Sequence, residues 1–443
     1  MLYSLRSIKA ASLILLCAAA DVALGQSPEP VGSEAVRQAL AVRAFETIRI
    51  DVPANERRPI SIPLVLDGRP VRLDLRPASV RASSFRVSIA GGDAALHDHP
   101  APAETTYRGE IAGMPGSAVA ASIIDGRVFA RILAGERIWG VQPLADIDGR
   151  GPSDRHAVYA ADDFVPGPWF CGTPDIAAHA GGLIGDGGRA AARAGAFCEH
   201  IAELAFAADV EYYQANGSSI PNVVADIESI VNAANVIYER DLAITHVIPR
   251  IVVHTAEPDF LESTAPGTLL GEFRSRWNGH HSPGTSDPIL RDVAHLMTGK
   301  DLDGSVIGVA FLGRVCADLA DGSGYGLSQS RFSTNFVRRT ALTAHELGHN
   351  WGAPHCNGDA DCAIMCSGLG GCSGVLDRFG AQSIASMTTF RDSLSCLTEG
   401  QMPAFDCNDN CIEDAAEVAE GSAFDCNENG LLDSCDVEAG QGG

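Results

Sequence analysis

The chain has 443 residues, and its 32 Lys+Arg against 56 Asp+Glu leave a formal net charge of −24. With only Lys9 and Lys300 as lysines, that balance excludes a nucleic-acid binder worked by clustered cations and argues against docking on an anionic membrane surface. At 46% apolar and 20% charged residues the composition is globular rather than disordered, and ~150 residues per domain predicts about three domains.

Arg6 and Lys9 precede an apolar run from Ala10 to Ala20, and small-residue pairs follow at Ala18-x-Ala20 and Ala23-x-Gly25. The run is too short to cross a bilayer, so residues 1–25 are predicted to be a signal peptide and the protein to be secreted, extracellular or periplasmic. No later stretch reaches ~18 consecutive apolar residues, so no membrane span is expected. In an exported chain the twelve cysteines beyond Cys17 favour disulfides over redox chemistry.

Residues 26–165 read as β-rich. SAVAASII, RVFARIL and RIWGVQPL are separated by Asp125-Gly126 and Gly135-Glu136, a hairpin pattern. His97 and His99, near Pro100 and Pro102, are expected in an exposed loop. Residues 171–196 are rich in Gly and Ala and expose Arg189 and Arg193 to trypsin-like cleavage, so 26–194 is assigned as one region ending in a cleavable linker. Strand character at 203–213, helical spacing over 223–241 and strands at 246–255 and 305–313 suggest an α/β domain over 195–400. Within it, His280-His281 and Gly322–Gly326 read as loops, and Asn216-Gly-Ser218 is a glycosylation sequon.

The chemistry concentrates in TALTAHELGHNWGAPHC, residues 340–356. His345 and His349 are four apart, so a helix puts both imidazoles on one face. Glu346 is placed to reach a metal-bound water. Gly352 can adopt a positive φ, end the helix and let His355 swing back as a third ligand. Three histidines plus a water make an open tetrahedral Zn2+ site of the catalytic type.

This extended motif resembles the metzincin metallopeptidases, with Met365 as the methionine of the turn beneath the metal and Met387 as a weaker alternative. The chain most resembles the reprolysin (adamalysin, ADAM-like) branch over roughly residues 80–400. DVAHLMTGKDLDGSVIGVAFLGRVC (292–316) is similar to the segment ending in the strand that flanks the substrate cleft. The resemblance implies an α/β metzincin catalytic domain behind a β-rich pro-domain, with a Cys316–Cys396 disulfide. It implies a zinc endopeptidase acting on protein or peptide substrates, Glu346 being the general base. One departure is Cys356, where reprolysins usually carry Asp. Cys171, just before the linker, resembles the pro-domain cysteine whose thiolate occupies the zinc in latent relatives; pairing with Cys198 is the alternative. Glu203, Asp292 and Glu399, with the Cys396 carbonyl, match the family's calcium site.

Residues 401–443 hold 11 acids and no Lys or Arg, in two repeats 19 residues apart. Asp406, Asn408, Asn410, Asp414 and Glu417, then Asp425, Asn427, Asn429, Asp433 and Asp436, fall at calcium-loop positions and predict a small Ca2+-binding C-terminal module. The repeats resemble dockerin and thrombospondin type 3 modules, which implies an extracellular or cell-surface partner. The competing reading of the chain is an exported calcium-dependent adhesion protein with a degenerate protease fold; the presence of Glu346 and all three histidines weighs against it.

Overall fold

Alternating apolar residues organise the N-terminal half. In the computed structural model, which describes residues 33–52, 57–91, 96–135, 137–148, 154–174, 200–256, 261–317, 322–372 and 374–399, helix α1 (Ser33–Leu40) is followed by β1 (Glu46–Arg49), β2 (Ile60–Leu66), β3 (Arg69–Pro77), β4 (Arg81–Ala90), β5 (Leu96–His99), β6 (Thr106–Ile111), β7 (Ala118–Ile124), β8 (Arg127–Ala134), β9 (Arg137–Pro143), α2 (Ala145–Asp148), β10 (Arg155–Ala160) and β11 (Phe170–Cys171). The expected signal peptide, most of the linker and the acidic tail lie outside the described residues. Eight of these strands form an antiparallel sheet in the order β1-β10-β9-β8-β7-β6-β3-β2. Ile62, Leu64 and Leu66 of β2 and Leu73 and Leu75 of β3 turn every second side chain into its core, the period a half-buried strand requires. The three strands expected between residues 117 and 144 are β7, β8 and β9, and Asp125 and Gly126 make their first turn with positive φ.

The second half alternates helix and strand: β12 (His200–Ala208), α3 (Val210–Ala215), α4 (Ile220–Leu242), β13 (Ile244–His254), α5 (Pro266–His281), β14 (Val293–Thr298), β15 (Val306–Ala310), β16 (Tyr325–Gln329), α6 (Phe336–Asn350), α7 (Ala381–Asp392) and β17 (Thr398–Glu399). The stretch 203–213, read as strand throughout, divides at Asp209: its carboxylate accepts from Tyr212 N at 2.8 Å, an N-cap that ends β12 and starts α3. β13, β12, β14 and β16 run parallel, and β15 closes one side antiparallel to β16. Both faces of these strands are covered. Leu204, Phe206 and Ala208 of β12 pack towards α4 and α6, while Ala205 and Ala207 pack towards α5. Their near-continuous apolar sequence follows from that double burial.

The N-terminal half does not keep to its own sheet. β4 pairs in parallel with β13, from Ile248↔Arg81 to His254↔Ala90, and β5 extends the sheet outward. At the opposite edge β11 pairs in parallel with β15. Strands from 33–174 therefore cap both edges of the α/β sheet, leaving neither with the open row of amides that invites pairing. His97 and His99 consequently sit in a strand, β5, rather than in the loop expected for them.

Helix α4 lies between the two sheets and is buried nearly all round. Ser219 caps its start and Ala243, with φ of 48°, its end. Its polar side chains are matched across the seam. Asn232 Nδ2 donates to Tyr107 O and Ala121 O, Arg108 forms a fork with Glu239, and Arg81 pairs with Glu228. Arg131 of β8, fully buried, donates to Leu376 O at 2.6 Å. One continuous core holds Leu40, Val42, Leu133, Tyr159 and Phe164 together with Val224, Ile237, Phe336 and Leu342.

A core shared this way does not part when a connecting loop is cut. After trypsin cleavage at Arg189 or Arg193, the two fragments are expected to co-elute on size exclusion in native buffer and to separate only in denaturant. Elution as two free species in native buffer would contradict the shared core.

Candidate metal centre

Helix α6 is positioned at its start by Asn335, whose side chain accepts from Arg338 N at 3.1 Å. At its other end Gly352 takes φ of +90°, and a Cβ there would stand 3.3 Å from the Phe390 side chain. Asn350 Nδ2 ties the last turn to the residue after β15 and to β16 by donating to Phe311 O and Tyr325 O. All residues of α6 are buried.

The helix and the turn beyond Gly352 bring three imidazoles together. Ring centroids of His345 and His349 are 4.8 Å apart, and His355 stands 5.4 and 4.7 Å from them. Cys171 joins them from β11. One ligand-type atom of each of these four residues lies within 4.8 Å of the others. Cys171 is a free thiol in this structure, and Cys198, its alternative partner, lies outside the described residues.

Proton placement tests whether a metal ion fits. His345 Nδ1 is 2.6 Å from Ile364 O and His349 Nδ1 is 2.7 Å from Ala353 O. A carbonyl oxygen only accepts, so each Nδ1 carries the proton and each Nε2 presents a lone pair. Those two Nε2 atoms face each other at 3.1 Å with no proton to share. Burial favours the same neutral form, pushing the pKa of His345 down to about 3 and that of His349 well below its ordinary value. Converging lone pairs on carbonyl-oriented imidazoles are a donor set that fits a divalent cation.

Glu346 and Cys171 complete the cluster. The thiol donates to Glu346 Oε2 at 3.5 Å, lies 3.4 Å from His349 Nε2 and accepts from Thr173 N at 3.3 Å. Glu346 Oε1 is buried with no hydrogen-bond partner. Burial pushes the pKa of both acids well up, Glu346 adding to the effect on Cys171. A cation among these atoms reverses that preference, because it is the largest local charge.

Two glycines shape this centre. A Cβ on Gly308 of β15 would fall 2.4 Å from Glu346 Oε1, so the strand passes directly against the carboxylate. A Cβ on Gly348 would fall 2.5 Å from Met365 Sδ, and Met365 is fully buried beneath the helix. Neither glycine belongs to the residues that the metal motif singles out. The signal for Gly308 was available, since an isolated glycine inside a strand marks close backbone approach.

The other expected site residues lie apart from this cluster. Cys316 and Cys396 form the long-range disulfide, beside Asp292, whose Oδ2 accepts from Glu203 N at 2.8 Å; the backbone of Glu399 pairs with His200. Cys356–Cys362 and Cys366–Cys372 close short loops around Met365, which gives the unexpected Cys356 a structural partner. Met387 is also buried, on α7, in the same core cluster as Met365. His281 is buried at the end of α5, its Nδ1 3.1 Å from Asp287 O, instead of lying in an exposed loop. Tyr325 and Gly326 already belong to β16. Asn216 is buried, donating to Tyr212 O and accepting from Arg331, so its sequon amide is not open for modification. The ten tail residues from Asp406 to Asp436 lie outside the described residues.

Crowding at Gly348 gives a direct check. Gly348→Ala forces a methyl group onto Met365 and is expected to lower unfolding free energy by ~1–3 kcal/mol, read from urea denaturation. An unchanged midpoint would mean that Met365 does not pack against the helix.

Residues 199–392 match the reprolysin model of metallo-peptidase family M12. Snake venom metalloproteinase Ac1 of Deinagkistrodon acutus is 32% identical over 152 residues, 33% of this chain and 67% of that protein. Disintegrin and metalloproteinase domain-containing protein 19 of Homo sapiens is 25% identical over 353 residues, 77% of this chain. A disintegrin and metalloproteinase with thrombospondin motifs 1 of Mus musculus is 34% identical over 137 residues, 30% of this chain. The chain spans 35% and 13% of the length of these last two proteins. With the helix, the turn and the converging imidazoles in place, the chain belongs to metallo-peptidase family M12, the reprolysins, whose fold is that of the metzincins and whose catalytic metal is zinc.

Proposed function

We propose that the protein is an exported zinc endopeptidase made as a latent precursor, the state the structure represents. The observation that carries this is the place of Cys171: its sulfur stands among the imidazoles of His345, His349 and His355, where a substrate-activating water has to bind. In this reading the three histidines hold the zinc and Cys171 is its fourth ligand until the chain is activated.

The segment around Cys171 also fills the binding edge. Phe170 N donates to Ser305 O at 2.9 Å, Gly172 N to Gly308 O at 2.8 Å, and Thr173 Oγ1 lies 3.1 Å from Ala310 N. These β15 groups are the ones an extended peptide substrate uses in strand addition. Bound zinc supplies Lewis-acid polarisation and a water of lowered pKa. The protein's own part is to hold His345 and His349 in one tautomer through the Ile364 and Ala353 carbonyls. Glu346 carries protons between the attacking water and the leaving amine. Burial keeps that carboxylate free of competing hydrogen bonds at Oε1.

Within this reading residues 26–194 act as the pro-domain with its linker. Asp292, Glu203 and Glu399 hold calcium beside the Cys316–Cys396 disulfide, and the loops of 401–443 hold calcium in a module that meets an extracellular partner.

Two substitutions separate the roles. Glu346→Ala is expected to abolish peptide hydrolysis, by at least a thousandfold, while zinc content by atomic absorption stays near one per chain. Near-normal turnover would refute the assigned base. Cys171→Ala is expected to make the uncleaved precursor active on a peptide library, with activity lost to a zinc chelator; a precursor that stays silent while zinc-loaded would remove Cys171 from the mechanism.

A further inference from the structure

The strap from Phe164 to Thr173 carries one large side chain that takes no part in the metal cluster, Trp169. Its ring stands edge-on to Phe332 with centroids 5.1 Å apart. The guanidinium carbon of Arg338 lies 4.9 Å from the indole centroid. The Trp169 carbonyl accepts from Leu369 N at 3.0 Å. Gly167 makes the room, because a Cβ there would fall 2.4 Å from the indole.

Arg338 is placed unusually for a charged group. It is 1% exposed, and its Nη2 donates to the carbonyls of Ala41 and Val165, both from the N-terminal half. Phe164 covers it from another side, with the guanidinium carbon 4.8 Å from the ring centroid. Among the described residues no carboxylate pairs with it, and its Nε has no acceptor. A guanidinium held without a counter-ion gains from an aromatic face, and the gain grows as water is excluded.

The position of this cation relates it to the metal cluster. Arg338 and His345 are seven residues apart on α6, so they share a face about 10 Å apart along the axis. Leu342 lies between them and lines a recess with Cys171, Ile307, His345 and Leu369. In an extended chain residues i and i+2 face the same way. Here the contacts show it directly despite a register shift between Phe170 and Cys171: Trp169 meets Arg338 and Cys171 meets His349, both on α6, while Phe170 between them is 46% exposed.

We propose that Phe332 and Arg338 form a side-chain subsite of the peptide cleft for an aromatic residue two positions from the residue at the metal cluster, and that Trp169 fills it in the latent chain. The inference rests on the protease reading, in which substrate replaces the strap. An aromatic ring satisfies both walls at once, the apolar edge of Phe332 and the cationic face of Arg338. An acidic side chain would meet the cation but leave Phe332 against a desolvated carboxylate.

The test has a binding arm that needs no catalysis. The full chain carrying Trp169→Ala and Cys171→Ala loosens the resident strap at both anchors. A fluorescent peptide with the sequence of residues 164–173 is titrated into it, alongside the same peptide with Trp169→Ala, and anisotropy is read. The tryptophan peptide is expected to bind at least tenfold tighter, and adding Phe332→Ala to the protein is expected to erase most of that difference. Equal affinities for the two peptides would overturn the subsite. If the doubly substituted chain does not fold, Gly167→Ala in the otherwise native chain crowds the indole out and takes its place in the same titration. In the second arm, a peptide-library digest by the chain carrying both Trp169→Ala and Cys171→Ala, whose subsite is vacated, is expected to show Phe, Tyr or Trp enriched at one position two residues from the residue at the metal. Hydrolysis with a flat profile there would overturn the subsite. Failure to cut any peptide would count against the protease reading itself, leaving the anisotropy to decide the subsite.

Discussion

Two backbone carbonyls, those of Ile364 and Ala353, fix what the centre of this protein can be. By accepting from Nδ1 of His345 and His349 they assign one tautomer to each ring and turn both Nε2 lone pairs towards the same point. The arrangement is repulsive unless a cation lies between. Nearly every conspicuous feature nearby maintains it. Gly352 returns the chain so that Ala353 and His355 reach the cluster, and the buried turn at Met365 brings Ile364 beneath the helix. The Cys356–Cys362 and Cys366–Cys372 bridges bracket that turn at both ends, restricting the loop whose carbonyl orients His345. Buried imidazoles of this kind tolerate little looseness, since a rotated ring would leave an N–H without an acceptor at a cost of ~1–3 kcal/mol.

The α/β sheet imposes a second constraint, because β13 on one side and β15 on the other would each expose a row of unpaired amides if nothing covered them. The N-terminal half supplies a partner for each, by different means. At β13 the partner is β4, part of a long hairpin whose side chains enter the shared core. At β15 it is the two-residue β11, held by backbone bonds and by Trp169. The first pairing is built into the packing of the molecule. The second lies along the edge that the proposed function gives to substrate.

Much of this was legible in the sequence, and the reasons differ by feature. The metal motif was readable because its spacing is a property of one helix, and period alone puts His345 and His349 on a face. The hairpins of β7 to β9 were readable because their turns are local, with Asp125-Gly126 supplying the positive φ. The Cys316–Cys396 bridge came only from family likeness, since spacing says nothing about a pairing 80 residues apart. What escaped was non-local. Nothing in residues 81–99 says that they will join another domain's sheet, because strand pairing is chosen by the surface that remains to be covered. His97 and His99 were misplaced for the same reason. Likewise His281 looked exposed beside Gly279 and Pro283, yet burial against Trp277 and the Asp287 carbonyl was set by tertiary contact.

The contrast between the two edges gives the proposed latent precursor a way to be unlocked without coming apart. A typical backbone hydrogen bond is worth a net ~0.5–1.5 kcal/mol, so the handful made by residues 169–173 amounts to a few kilocalories. Each fully buried aliphatic or aromatic side chain contributes ~1.5–3 kcal/mol, and the N-terminal half places many of these, with Arg81, Arg108 and Arg131, in the common core. The strap is therefore the weak element and the domain the strong one. In the proposed activation, a cut beyond Thr173 frees the strap's C-terminal end while leaving β4, β5 and α1 in place. Because Ala41 O belongs to the part that would stay, Arg338 would keep one carbonyl partner if the Phe164–Thr173 segment moved, and would remain a fixed cation at the proposed subsite.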